Sequence, residues 1–357
     1  LKYRKATLLA TESATTAATK TIDLDLTEII SRIHLNIRAT NSNNTLIAHP
    51  AKIIKKLEIV DGSDVLFSLS GLEAQALAEI GTGKQPVDVI SYMTGDEIQP
   101  SMNIFFGRHL WDPKYAFDPK KFGNPQLKIS HDKSLGGSTP TSMTLAVYAD
   151  LFDEKAVSPE GFLMSKENYT YVPSASAHKY VDLPVDYPYR MLLMQTLSSG
   201  KQMGEVLSHI KISENMDKKV VMDQDTKDII KLLLTETDPV IENILAYVAA
   251  TATTIYCKSA YEGIAVGNQY GGAQYATSFG GVAGGTFTAY STTAYYLKML
   301  VRGWCPHGCY NIMPGHIDDP DDWYDPTALK SLRLDLTADS SPGSDAVNVI
   351  TQQLRKY

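Results

Sequence analysis

Residues 53–80 read IIKKLEIVDGSDVLFSLSGLEAQALAEI, and their internal order sets the reading of the rest of the chain. Lys56 and Glu58 alternate with Leu57 and Ile59, the period-two pattern of a half-buried strand. Asp61-Gly62 supplies a tight turn, because glycine takes positive φ without steric cost. Val65, Phe67 and Leu69 resume the alternation. Ser70-Gly71-Leu72-Glu73 has the spacing of a capping box, in which two orphan backbone N–H groups are satisfied reciprocally. Leu72, Ala76, Leu77 and Ile80 then fall on one helical face. The unit is strand, turn, strand, capped helix.

Upstream, residues 8–19 are rich in Ala and Thr and read as an extended arm. Ile22, Leu24 and Leu26 alternate with acids, and Ile33, Leu35 and Ile37 with His34, Asn36 and Arg38, so both stretches predict strands with one wet face. Downstream come a strand at 102–108, a short helix from Asp112-Pro113 to Phe122, and strands at 127–130 and 143–148. Residues 151–184, with Pro159, Gly161, Pro173 and Pro184, read as a connecting region.

The second half repeats the order of the first. Tyr189–Leu197 answers Arg32–Ala39, Ile210-Lys211-Ile212 answers Leu57-Glu58-Ile59, and Val220–Met222 answers the short strand after the turn. Asp225-Thr226-Lys227-Asp228 stands where the capping box does. Leu297–Arg302 is matched to Met102–Arg108, Tyr324-Asp325-Pro326 to Phe117-Asp118-Pro119, Leu332–Asp335 to Leu127–Ser130, and Val347–Leu354 to Met143–Tyr148. Matches in one order predict a duplicated β-rich domain, each copy with short helices flanking one strand, in a sandwich or barrel. The expected division is an arm over 1–19, a first domain over 20–150, the connection over 151–184, and a second domain over 185–357 with an insertion at about 238–296. Between Ala246 and Leu297 the only charges are Lys258 and Glu262, and 8 of the 20 tyrosines lie there. That composition resembles a disordered low-complexity tract, the alternative to the ordered insertion buried between subunits that Ile255, Ile264, Val266, Phe279 and Phe287 suggest.

The 357 residues are enough for two cores, and 43% hydrophobic with 20% charged residues is ordinary for a globular chain. A net charge of −7 argues against a dedicated nucleic-acid binder, although Lys2, Arg4 and Lys5 form a small basic start. Cys257, Cys305 and Cys309 are too few for a disulfide framework. The 8 histidines form no His-x-His or His-Glu-x-x-His pair, as a bicupin-type metalloenzyme would need. Gly81-Thr82-Gly83-Lys84 lacks the rest of a phosphate loop and reads as a turn. Cys305-Pro306-His307-Gly308-Cys309 is a metal candidate short of a fourth ligand, with a constrained turn carrying free thiols as the alternative. Asp318, Asp319, Asp321, Asp322 and Asp325 could hold calcium, but their spacing misses the EF-hand pattern, and a solvated turn is the alternative. No catalytic, cofactor or metal residue is assigned.

The paired units 53–80 and 206–236, and the pair 117–130 and 324–335, carry a resemblance. The chain resembles the double jelly-roll major capsid proteins of tailless icosahedral viruses, including membrane-containing bacteriophages, in the lineage of the adenoviruses. Phage-like wording adds to it in Asn124-Pro125-Gln126-Leu127-Lys128-Ile129 and Tyr180-Val181-Asp182-Leu183-Pro184. About seven strands are legible in each half. A jelly roll has eight, and the missing ones are expected near Val87–Met93 and inside the insertion. The resemblance implies a non-enzymatic virion protein, assembled in the host cytoplasm, whose homotrimers form pseudo-hexameric capsomers. It implies contacts with neighbouring capsomers and with minor or vertex proteins, an internal lipid membrane near the N-terminal arm, and an outward tower or trimer lock at the insertion. A carbohydrate-binding or adhesin-like β-sandwich is the alternative from another class.

Overall fold

The computed structural model describes residues 2–154, 157–249, 252–269, 276–290 and 295–357, so parts of the connecting region and of the insertion lie outside the described residues. The first lobe is built from β1 (Tyr3–Ser13), β2 (Ala18–Asp23), β3 (Ile29–Asn41), β4 (Ile54–Asp61) and β5 (Asp64–Leu69). The helix α1 (Gly71–Thr82) follows, then β6 (Ile90–Tyr92), β7 (Glu97–Ile98), β8 (Ser101–Phe105), β9 (Pro125–His131) and β10 (Pro140–Phe152). The second lobe has β11 (Gly161–Tyr171), β12 (His178–Leu183), β13 (Tyr189–Thr196), β14 (Leu207–Glu214), β15 (Lys219–Asp225) and the helix α2 (Thr226–Leu233). Next come the insertion strands β16 (Val240–Val248), β17 (Thr253–Tyr256), β18 (Tyr261–Gln269), β19 (Ala276–Val282), β20 (Thr286–Ala289) and β21 (Tyr295–Trp304). The roll then closes with β22 (Cys309–Asn311), β23 (Leu332–Ala338) and β24 (Val347–Lys356).

In the first lobe β1, β10, β3 and β8 form one sheet, and β2, β9, β4 and β5 face it. The second lobe repeats this with β11, β24, β13 and β22 against β12, β23, β14 and β15. Both are eight-stranded jelly rolls, so the fold is two tandem rolls. The alternation in β3 falls as the sequence predicts: Ile33, Leu35 and Ile37 are buried in the core of the first lobe, with His34 and Arg38 on the other face.

The eighth strands are not where the sequence placed them. They are the first strand of each roll, β1 and β11, within the expected arm and connection. β1 pairs along β10 from Tyr3↔Phe152 to Ser13↔Thr144, so this part of the expected arm is sheet. Two ladder irregularities in β1 break the alternation on which a strand is recognised. A strand does form near Val87–Met93, but β6 joins the insertion, in parallel with β16. Leu297–Arg302 likewise belongs to β21 of the insertion, and the counterpart of β8 is the short β22. The expected helix at 112–122 shrinks to a 3-10 turn at Pro119–Lys121. Asp112 is spent on the Arg108 side chain and backbone, and Phe117 bridges Ile30 in extended form. Among the described residues each roll therefore has one α-helix, before its seventh strand.

The opening unit folds as read. Gly62 sits at φ 61° in the turn between β4 and β5. Ser70 Oγ accepts the Glu73 N–H at 3.4 Å, and Glu73 Oε2 accepts the Ser70 N–H at 2.7 Å. Its second copy lacks the box, because Asp225 accepts from His209 Nδ1 (2.8 Å) and makes no cap bond.

Candidate assembly surfaces

Three regions could serve assembly: the seam between the lobes, the insertion, and the strand edges that the seam leaves open. At the seam β5 pairs in parallel with β11, with Phe67 opposite Ser165 and Ser68 opposite Lys166. The two rolls thereby share one eight-stranded sheet. Met191, Leu193 and Ile350 lie on the outer face of the second roll, are wholly buried, and join the first lobe's core. The run Met191-Leu192-Leu193-Met194 is apolar on both faces for this reason.

β-bulges fall at the same places in both lobes. Ser31 is the extra residue in β3 and Arg190 in β13; Leu66 in β5 and Val221 in β15; Leu8 in β1 and Asn168 in β11. They fix the lobe-to-lobe correspondence residue by residue. Met191 and Leu193 of the seam correspond to Arg32 and His34 on the first lobe, which keep that face polar. The bulge at Arg190 aims its guanidinium into the seam, where it donates to the Gly81 carbonyl (2.5 Å), Gln352 Oε1 (2.8 Å) and the Ile317 carbonyl (2.9 Å). Burial pulls Arg190 down to about 10, with Asp318 acting against that fall. Asp64 and Arg355 close the far side of the seam at 2.6 Å. Glu167 on β11 faces the buried cap residue Glu73, and burial together with that carboxyl pushes it up to about 7.

The insertion folds into a five-stranded sheet ordered β19-β18-β21-β16-β6, with β17 and β20 paired antiparallel beside it and a tight hairpin turn at Gly284-Gly285 joining β19 to β20. It is anchored on both lobes, since β6 comes from the first. Ile244, Val248, Ile255, Phe287, Met299 and Val301 form its core with Ile90 and Tyr92. Gly284, at φ 57°, sits so close to the Ser198 carbonyl that a Cβ would lie 1.7 Å from it, which docks the hairpin on the second lobe. The outer face of the sheet leaves Ile241, Ile264 and Leu300 each about half exposed. These lie with Arg302 and Lys298 in matched rows across β16, β21 and β18.

Beneath the insertion lies a buried polar network that joins all three units. Lys258 Nζ donates to Glu79 Oε1 of α1 (2.7 Å) and to Asp88 Oδ2 (3.3 Å), and its backbone N–H donates to Glu242 Oε2 (2.9 Å). His49 Nδ1 accepts the Ala51 N–H, so Nε2 carries the proton shared with Glu242 Oε1 at 2.9 Å. Gln75 donates to Asp88 and the Ser101 carbonyl, which leaves its Oε1 to accept from His307 Nε2 at 2.9 Å. Burial acts to raise Glu242, but its bonds to His49 and Lys258 outweigh this and hold it low. Burial raises Glu79 more than Lys258 lowers it. Lys258 is raised: burial opposes its charge, and the three carboxylates overcome that. Burial above all drives His307 well below the usual range, so it is neutral.

The metal candidates from the sequence lie elsewhere in character. Cys305 and His307 occupy left-handed backbone, φ 56° and 50°, in a tight turn under the insertion. Burial pushes the Cys305 thiol up to about 12 and Cys309 well above its usual value, so both stay protonated. Asp322, Asp319 and Asp325 accept backbone N–H groups of their own turn, and Asp318 reaches Arg190 at 3.4 Å. Among the described residues no three His, Cys, Asp or Glu side chains gather as a metal-holding group. Of the basic start, Arg4 is bonded to Glu28 and to Asp153.

Sequence reasoning missed the network and Arg190. Both had signals: Lys258 is one of two charges in a long apolar tract, and Arg190 opens the two-sided apolar run.

No family model matches the chain, and no curated protein aligns with it. Solved structures resemble it along its whole length. The chain is similar to the STIV MCP, with a TM-score of 0.58 and 13% identity over 99% of this chain and 98% of that one. It is similar to the major capsid protein P2 from bacteriophage PM2, with a TM-score of 0.55 and 11% identity over 99% and 98%. PBCV-1 VP54, fitted into a reconstruction of the virophage Sputnik, gives 0.57 and 9% over 99% and 93%. At these identities the likeness is one of fold.

Proposed function

We propose that this chain is a major capsid protein, a structural virion component whose homotrimers form pseudo-hexameric capsomers of an icosahedral shell. The observation that carries the reading is end-to-end agreement of the two-roll fold, insertion included, with capsid chains covered almost completely in return. Physical features of this chain support it. Two similar lobes in fixed contact are a third of a closed figure, and three copies place six lobes around a threefold axis. The inner seam is apolar and permanent, while the matching outer face carries Arg32 and His34, as suits chains that are soluble before they assemble. The half-exposed aliphatics on the insertion sheet supply a further contact between copies.

The division that goes with this reading is a first roll up to about residue 150 and a second from about 185, the strand β11 of the intervening segment serving the second roll. The insertion is the outward tower. Asn41, at the end of β3 near the tower, bonds the Ser91 carbonyl of β6, whereas Lys2 lies at the opposite end of the roll beside Asp153. An internal membrane would meet that opposite end, and neighbouring capsomers and minor or vertex proteins would meet the lobe flanks. The role is structural, with the buried charges serving architecture. Light scattering on the purified chain tests the proposal: the mass of three chains is expected. A strict monomer that is retained on immobilised glycans would replace it with the carbohydrate-binding reading.

A further inference from the structure

The contact that joins the two rolls occurs once within the chain, yet each of its halves is present a second time without a mate. β5 is covered by β11 at the seam. Its counterpart β15 pairs, among the described residues, with β14 alone. The counterpart of β11 is β1, which among the described residues pairs with β10 alone. Burial follows the same division. β5 is buried from Leu66 to Leu69, whereas β15 has no buried residue and Val220 is 45% exposed. β11 is buried from Gly161 to Ser165, whereas β1 has none buried.

The shared bulges give the register. Phe67 and Ser68 correspond to Met222 and Asp223, and the helix caps Ser70 and Asp225 correspond as well. Ser165 and Lys166 correspond to Lys5 and Ala6. We infer that β15 of one copy adds in parallel to β1 of the next, with Met222 opposite Lys5 and Asp223 opposite Ala6, so that the seam inside the chain is repeated between chains. The inference rests on the capsid reading, which supplies the ring of copies, and it names the strands and register that close that ring.

One ion pair singles out this edge. At the inner seam Asp64 bonds Arg355 at 2.6 Å. The corresponding residues are Lys219, opposite Glu214 in its hairpin as Asp64 is opposite Asp61, and Asp153, whose backbone N–H donates to the Lys2 carbonyl at the start of β1. The signs are exchanged and the attraction is kept. Lys219 is 68% exposed and bonded to Glu214 at 2.8 Å, and Asp153 is 27% exposed and bonded to Arg4 at 3.3 Å, so each meets a second copy by sharing or exchanging a partner at the rim of its own strand. Charge on an open edge commonly serves only to keep edges apart. A pair that reverses sign at both ends together instead preserves a contact.

Hydrogen exchange on the wild-type protein, assembled and after dilution to monomer, reads the strands directly. Residues 219–225 and 3–8 are expected to exchange at least about tenfold more slowly in the trimer, as newly paired edges do. Lys219→Glu and Asp153→Lys should each weaken trimer formation on the order of ten- to thirtyfold, three surface ion pairs each carrying about two- to threefold. The double variant K219E/D153K should trimerise at least about threefold more tightly than either single variant, since it alone restores opposite signs between chains while Glu214 and Arg4 face like charges in the single and double variants alike. A trimer whose 219–225 amides exchange as in the monomer overturns the inference and leaves the capsid reading standing. A chain that never trimerises overturns both.

Discussion

Replacing Lys258 with methionine tests whether the buried network holds the insertion on the two rolls. The substitution keeps the length of the side chain and removes its charge. It leaves Glu79, Asp88 and Glu242 together without their cation, and deletes bonds of 2.7 and 3.3 Å. Each lost pair is worth roughly 5–6 kcal/mol of attraction at an effective dielectric near 20, before the cost of desolvating lysine is returned. Removing one partner of a buried pair typically costs a net of about 3–5 kcal/mol, which is the loss expected here at pH 8. The loss should shrink toward pH 5. Without Lys258 the folded carboxyls titrate above their unfolded values, so the variant is most stable when they are protonated and weakens as pH rises. Urea denaturation followed by tryptophan fluorescence, with hydrogen exchange on residues 240–248 and 295–304, measures size and place together. Glu79→Gln in the K258M background should recover about half of the loss, because it removes one orphan charge. A K258M protein within about 0.5 kcal/mol of wild type at pH 8 would show that the network does not hold the insertion. A loss that ignores pH would show that it acts through packing alone.

Ser70→Ala removes one half of the capping box and should lower stability by about 1 kcal/mol in chemical denaturation. No change would mean that the seam, and not the cap, fixes the start of α1. Glu167 has a folded value of about 7, above its unfolded one, so its contribution is full below about pH 4.5 and is lost as pH rises through 7. Glu167→Gln should therefore flatten the denaturation midpoint between pH 5 and 8, and an unaltered slope would place the titration elsewhere. Gly284→Ala puts a Cβ 1.7 Å from the Ser198 carbonyl at positive φ, so the hairpin must lift. Faster proteolysis in residues 282–290 with intact rolls is expected, at a cost of about 2 kcal/mol or more. Wild-type resistance there would show that the hairpin is not docked by this contact.

Much of the fold was legible because strand alternation and turn chemistry act locally. The unit at 53–80 formed its hairpin and its box, and set beside 206–236 it identified the duplication. What stayed hidden depended on partners distant in sequence. The alternation of β1 is broken by two irregularities, so only its pairing with β10 reveals it as a strand. Leu297–Arg302 alternates well enough to pass for the seventh strand of a roll, and only the sheet with β16 and β18 assigns it to the insertion. The helix α1 shows the same limit. Its apolar residues predict one buried stripe, yet Glu73, Gln75 and Glu79 on its other faces are buried too, because the second roll and the insertion close over them. The assembly surfaces follow that division. Seam and network residues look like ordinary strand and helix positions until both lobes are compared, whereas the sparing use of charge in the insertion marked it as a unit with a core of its own.

Negative-stain microscopy of the purified protein tests the central claim most directly. Class averages should show a threefold particle with a nearly hexagonal outline of six lobes, two from each chain, and a raised tower on each chain. Isolated two-lobed particles at concentrations well above those of the grid, or rings of any other symmetry, would contradict it.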